Sequence, residues 1–356
     1  MSGTHARAPR ARTFLLIIAS ILLCAFMSNA SAHRVEPRPA QRHATAAKLK
    51  KPAAHARRAK HRRPRVRHHA AKPHIAPGQQ PHRTKRVSPA RHRAAPGPRL
   101  LASCGYSPRA VNALHSRAVY VLDVRTGTPL LARNARTVRP IASISKLMTA
   151  VVARNANRPL DGMLRVTAHD RDAIKFTHSR LRVGSTLSRR DMHRIALMSS
   201  ENRAAAALSR DYPGGRPAFV AAMNREARRL GMRRTRFHEA TGLSPRNVST
   251  AEELARLVDA AARDPLIRRF STARSGTVQP GSGTLRYVNS DPLVRYGQWP
   301  IQLQKTGFIN EAGHGVVMRT HVHGRPETIV LLGAPTRAGV TRDAQTIHRW
   351  LACSLM

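Results

Sequence analysis

Three short polar groupings in this 356-residue chain hold side chains able to do chemistry together. They are Ser143-x-x-Lys146 within "PIASISKLMTA" (140–150), Ser200-Glu201-Asn202, and Lys305-Thr306-Gly307. A serine hydroxyl attacks a carbonyl only when something takes its proton. No histidine or acid stands beside Ser143, but a lysine three residues along a helix lies one turn away. Burial and neighbouring cations keep such an amine neutral and make it a base. Lys305, on a facing strand, is the expected neighbouring cation. Ser200 is placed to relay a proton to a leaving amine, and Asn202 to hold Lys146 and a substrate amide. Lys305 and Thr306 are expected to bind a carboxylate, while Gly307 lets an extended ligand lie along the strand edge. Each grouping alone is weak; the three together point to acyl transfer through a serine.

Several elements must position these residues. "AVYVLDV" and "PLLARN" read as strands joined by a turn at Thr126-Gly127. In "PIASISKLMTAVVARN", Ile144, Leu147, Met148, Val151 and Val152 form one apolar helix face, with Ser143 and Lys146 at its edge. Ser143 falls in the first turn, where backbone N–H groups favour a developing oxyanion. Ser188 is the predicted N-cap of "LSRRDMHRIALM", and "SSENRAAAAL" interrupts before another helix. "AFVAAMNREARRLGM", closed by Gly231, and "TAEELARLVDAAARD" are further helices. After about residue 283 come the strands "IQLQKTGFI", "GVVMRTHVHG" and "ETIVLLGAP", the last two turned at Gly324-Arg325-Pro326, and then the helix "TRDAQTIHRWLACS". The predicted fold class is α/β in the α+β sense: an antiparallel sheet completed by both ends of the chain and flanked by helices.

The formal charge of +45 is unevenly spread. Residues 33–99 hold 20 Lys/Arg and nine His against one acid, Glu36, with no Phe, Tyr or Trp, which predicts a disordered basic linker. Residues 1–32 read as a signal peptide: Arg7, Arg10 and Arg12, an apolar run, then Ala30-Ser31-Ala32. Export to the periplasm follows, with membrane association if the leader stays. Removing the leader removes Cys24 and leaves Cys104 and Cys353, a candidate disulfide joining the two ends of a folded region at 100–356. The basic arm also fits a polyanion-binding protein. It lacks aromatics for base stacking, and export separates it from nucleic acid, so the expected partners are anionic envelope polymers, a membrane surface or the wall. A passive tether is the plainer reading. His321 and His323 alternate along a strand, but no carboxylate or cysteine completes a metal set with them. Neither metal nor cofactor is expected.

The three groupings, in this order, match the signature set of serine acyltransferases of the penicillin-binding and β-lactamase type. "PIASISKLMTA", "LMSSENRAAAAL", "FHEATGLSPRNVSTAEELARL" and "QKTGFINEAG" resemble the low-molecular-mass penicillin-binding proteins of the D-alanyl-D-alanine carboxypeptidase family, and within it the endopeptidase branch. The resemblance covers about residues 115–354 and none of the basic arm. It implies a β-lactamase/transpeptidase-like fold with a helical subdomain, a peptidoglycan substrate and covalent inhibition by β-lactam antibiotics. It makes Ser143 the nucleophile and Lys146 the base, with Ser200 and Asn202 as second motif and Lys305, Thr306 and Gly307 as third. The oxyanion hole falls to the N–H groups of Ser143 and Phe308. Ser145 stands where many relatives carry Thr. A β-lactamase would need an acid to activate its deacylating water, for which Glu239 is the candidate. The carboxypeptidases often carry a further β-rich domain; with only about fifty residues after Lys305, the expectation is an endopeptidase cutting D-alanyl-meso-diaminopimelyl cross-links, and a carboxypeptidase is the alternative.

Overall fold

Strands β1 (Ala118–Asp123) and β2 (Thr128–Arg133) form a hairpin, while β3 (Ile301–Ile309), β4 (Gly313–Val322) and β5 (Arg325–Ala334) form a meander. The structure, a computed structural model, describes residues 98–281 and 283–356; the predicted signal peptide and all but the last two residues of the basic linker lie outside these. β1 pairs with β5, so the hairpin and the meander merge into one five-stranded antiparallel sheet of order β2-β1-β5-β4-β3. Both ends of the folded region thus complete one sheet, as its sequence predicts. Among the described residues, β3 is left as an edge.

Helices α1 (Ser145–Asn155), α2 (Arg189–Met198), α3 (Asn202–Arg210), α4 (Gly215–Arg229), α5 (Ala251–Ala262) and α6 (Arg337–Ser354) surround the sheet. Successive strand residues point to opposite faces. In β5, Ile329 and Leu331 join Val340, Ile347, Trp350 and Leu351 of α6, whereas Val330 and Leu332 join α1, α4 and α5. Burial on both faces is why β5 reads as a continuous apolar run. A third core, with Leu187, Met192, Ile195, Leu208 and Tyr287, builds the helical subdomain around α2 and α3. Cys104 and Cys353 are joined by a disulfide with a Cα–Cα distance of 5.6 Å, tying the segment before β1 to α6. Closing a loop of 249 residues restricts the unfolded chain by roughly 5 kcal/mol in the entropic account. Among the described residues, no helix is long and apolar enough to cross a membrane.

Four local expectations are corrected. Ser143 lies in a 3₁₀ turn, Ala142–Ile144, immediately ahead of α1. Helix α1 is buried on nearly every side, since Ser145, Lys146, Thr149 and Ala150 are as enclosed as its apolar stripe. It threads between the sheet-side helices and the subdomain, a tertiary position that periodicity alone does not reveal. The last hairpin turns at His323-Gly324, and Arg325 and Pro326 already pair within the sheet. Helix α6 begins four residues ahead of Thr341, its predicted start, because Thr336 caps it, accepting from the Gly339 N–H.

One sheet residue is electrostatically costly. Glu327 is fully buried opposite Asp123 of β1, and among the described residues neither of its carboxylate oxygens has a hydrogen-bond partner. Burial first, and then repulsion from Asp123, push its pKa to about 8, against Arg325 and Arg125. The folded state therefore keeps a proton that the unfolded chain releases in the ordinary carboxylate range. Stability from this site is lost as pH rises from that range through about 8. Glu327→Gln, which fixes the neutral form, should unfold at a higher temperature than the wild type at about pH 9, with the gap closing near about pH 5. A gap independent of pH in thermal unfolding would contradict this.

Candidate active site

The amine of Lys146 is buried and has three oxygen neighbours. They are Ser143 Oγ at 2.9 Å, Asn202 Oδ1 at 2.7 Å and the Thr241 carbonyl at 2.6 Å. Burial lowers its pKa from 10.5 to about 8, against the attraction of Glu239, Glu201 and Asp172. A neutral amine has two N–H donors and one lone pair. Asn202 Oδ1 and the Thr241 carbonyl can only accept, so they occupy the two N–H groups. The lone pair is left for the one neighbour that can donate, the Ser143 hydroxyl. The geometry thus holds an acceptor on the serine proton whenever Lys146 is uncharged.

Residues from the third motif complete the cleft. Edge strand β3 brings Thr306, Gly307 and Phe308 beside Ser143 and Ser200 around a cavity of about 230 Å³. Gly307 is required by close approach: a Cβ there would stand 2.8 Å from the Ile141 carbonyl and 3.2 Å from Ile144. Phe308 is half exposed and stacks on His314 at 4.2 Å. Thr306 Oγ1 lies 2.6 Å from Ser290 Oγ. Lys305 is buried, and its amine donates to the Thr306 carbonyl at 2.9 Å. Burial and then Lys146 hold Lys305 well below its ordinary pKa, against Asp291. This revises the expected cause: burial, ahead of repulsion between the two amines, is the main influence on both lysines. Ser200 sits between α2 and α3 in the left-handed region, φ +64°, a backbone strain of the kind concentrated at functional sites.

The sequence reading missed the turn that supports all of this. Glu239 accepts from the N–H groups of Thr241, Gly242 and Ser244, from Thr241 Oγ1 and from Asn247 Nδ2. That clamp presents the Thr241 carbonyl to Lys146 and the Ala240 carbonyl to Thr149 Oγ1, while Asn247 Nδ2 also donates to Ser145 Oγ. Gly242, φ +82°, packs under the Ser143 turn, where a Cβ would stand 1.9 Å from the Ala142 carbonyl oxygen. Its signal in the sequence was the polar, glycine-bearing stretch "HEATGLSPRN" between two helices. Also missed were Arg337, a cation lining the cleft from the start of α6, and Thr177, whose hydroxyl accepts from Asn202 Nδ2 at 3.0 Å. His323 does not alternate with His321 on a strand face; it lies in the turn, with Nε2 2.7 Å from the Ala352 carbonyl. Among the described residues, no three His, Cys, Asp or Glu side chains gather to hold a metal ion.

Comparison with known proteins fits this arrangement. The sequence profile described as D-alanyl-D-alanine carboxypeptidase matches residues 106–336. The chain belongs to that family. It is 48% identical over 240 residues to a D-alanyl-D-alanine endopeptidase of Pseudomonas aeruginosa, covering 67% of this chain and 77% of that one. With a D-alanyl-D-alanine endopeptidase of Escherichia coli K12 the identity is 45% over 238 residues, covering 66% and 77%. The crystal structure of a Streptomyces DD-transpeptidase superposes with a TM-score of 0.63 over 67% of this chain and 97% of that one, at 24% identity, a likeness of fold. This family member is thus a penicillin-binding enzyme of serine-peptidase type.

Gly242→Ala should displace the Ser143 turn and reduce the rate of penicillin acylation by about 100-fold or more, as misplacement by about 1 Å does in other sites. Stopped-flow measurement with a fluorescent penicillin on protein of unchanged circular dichroism checks it, and a rate near that of the wild type would refute it.

Proposed function

We propose that the protein is an exported serine D,D-peptidase that cleaves D-alanyl-meso-diaminopimelyl cross-links of peptidoglycan through an acyl-enzyme on Ser143. One observation carries the reading: a buried Lys146 amine whose lone pair is left to the Ser143 hydroxyl. In the first step Lys146 takes the hydroxyl proton as Ser143 Oγ attacks the D-alanyl carbonyl. The backbone N–H groups of Ser143 and Phe308 receive the oxyanion. Ser200 relays the proton to the departing amine, and Asn202 holds Lys146 in place. The leaving residue carries a carboxylate next to its amine, which draws it toward Thr306, the buried Lys305 and the open guanidinium of Arg337. Water, deprotonated by the same Lys146, then releases the D-alanyl product.

Glu239 weighs against the β-lactamase alternative, because its oxygens are taken up by the 239–247 turn. A carboxypeptidase acting on D-alanyl-D-alanine would place the same carbonyl over Ser143, so that alternative is decided by assay. The described domain would stand at 100–356, with the leader directing export and the 33–99 arm reaching for anionic envelope polymers or a membrane surface.

Ser143→Ala should abolish covalent labelling by penicillin and leave the unfolding temperature near that of the wild type; persistent labelling would remove Ser143 as nucleophile. Purified enzyme should cleave cross-linked muropeptide dimers faster than it trims pentapeptide monomers, read by chromatography of the products. Faster trimming of the monomers would make it a carboxypeptidase.

A further inference from the structure

Residues 100–356 contain 37 arginines and only three lysines. Two of the three are Lys146 and Lys305, in the site just described. The third, Lys175, makes an ion pair of 2.5 Å with Glu311. Lys175 belongs to the loop that contacts Asn202, whereas Glu311 lies in the β3–β4 turn, so the pair joins the subdomain side of the site to the end of the edge strand.

The Lys175 loop is rigidly built. Asp172 accepts from the N–H groups of Ile174, Lys175 and Thr177 and from the Thr177 hydroxyl, and that hydroxyl accepts from Asn202. The loop is thereby fixed to the same asparagine that holds Lys146. Phe176, beside Lys175, is 82% exposed, with φ +54°. Nothing in the core explains its presence there.

The direction in which a substrate lies follows from the site. β3 is an edge strand, so an extended peptide can pair along it. The scissile carbonyl sits at the Phe308 N–H, and the cation-bearing side, at Lys305 and Thr306, receives the carboxylate of the leaving residue. The acyl half must then run the other way, past Ile309 toward Glu311. At about 3.4 Å per residue, the residue preceding the D-alanine falls beside Ile309, and a long side chain there reaches toward the β3–β4 turn, where Lys175 and Glu311 meet. In a polymer whose stems all carry meso-diaminopimelate, that residue is itself a diamino-diacid, its side chain ending in an ammonium and a carboxylate on one carbon.

We propose that Lys175 and Glu311 form the subsite for this side chain, exchanging their mutual contact for its carboxylate and its ammonium respectively. The inference rests on the peptidase reading above. Both side chains are partly exposed, 30% and 41%, and an exposed ion pair opens at little net cost. A lysine suits the exchange better than an arginine, because a point charge on a flexible stem swings between two carboxylates that a bidentate guanidinium would hold. The subsite selects the donor strand of the cross-link, a specificity distinct from recognition of the leaving group.

The test uses three cross-linked muropeptide dimers whose donor strand carries meso-diaminopimelate, its side-chain carboxamide, or L-lysine. Wild type, Lys175→Met and Glu311→Gln are each first titrated with fluorescent penicillin, so that rates refer to active sites. Wild type should prefer the diaminopimelate donor over the other two by about 10-fold or more in kcat/KM, the scale of a charge-assisted contact. Lys175→Met should erase that preference by lowering only the diaminopimelate rate. Glu311→Gln should lower all three, since each donor retains its ammonium. Equal losses across the three donors in Lys175→Met, the mark of a purely structural strap, would overturn the proposal, as would a wild type indifferent to the donor. Wild type that takes up no penicillin would instead bring down the peptidase reading, and this inference with it.

Discussion

The structure depends on holding one amine out of water. Lys146 is buried at the start of a helix that is itself enclosed, and two carbonyl-type acceptors take its N–H groups. Charging an isolated buried amine is unfavourable, which moves its proton equilibrium down toward neutrality. Three carboxylates at a distance limit that fall, and the balance stands at about 8. Without the Asn202 and Thr241 acceptors the amine would have no fixed orientation. Without the burial it would be an ordinary ammonium and no base at all.

The rest of the domain can be read as what that arrangement requires. The edge strand β3 must pass close enough to the Ser143 turn to share one cleft with it, and Gly307 and Gly242 remove the two side chains that would prevent this. The Glu239 clamp turns a loop into a rigid acceptor. The helical subdomain brings Asn202 and the Asp172 loop to the opposite wall. The sheet, sealed by the pairing of β1 with β5 and by the Cys104–Cys353 bridge, keeps the wall bearing Lys305 in register with the one bearing Ser143.

Much of this was legible in the sequence where the information is local. The S-x-x-K spacing, the alternating strands and the Ser188 cap are short-range patterns, and all reappear in the structure. What escaped was set by contacts distant along the chain. Thr241 reaches Lys146 across 95 positions, and Glu311 reaches Lys175 across 136. Neither partner carries a spacing that announces it. The total enclosure of α1 was hidden for the same reason, since polar residues such as Ser145 and Thr149 are satisfied inside by Asn247 and Ala240 and therefore do not mark a surface. The early start of α6 was masked by Gly339, a poor helix former beside a good cap.

The most direct test is the pH dependence of the second-order rate constant for acylation by penicillin, followed in the wild type under stoichiometric conditions. A base that must be neutral, with its proton released at about 8, predicts a rate that climbs about tenfold per pH unit below that point and levels off above it. A rate still climbing toward the range of an ordinary lysine, or one flat across neutral pH, would show that the buried amine is not the group that takes the serine proton.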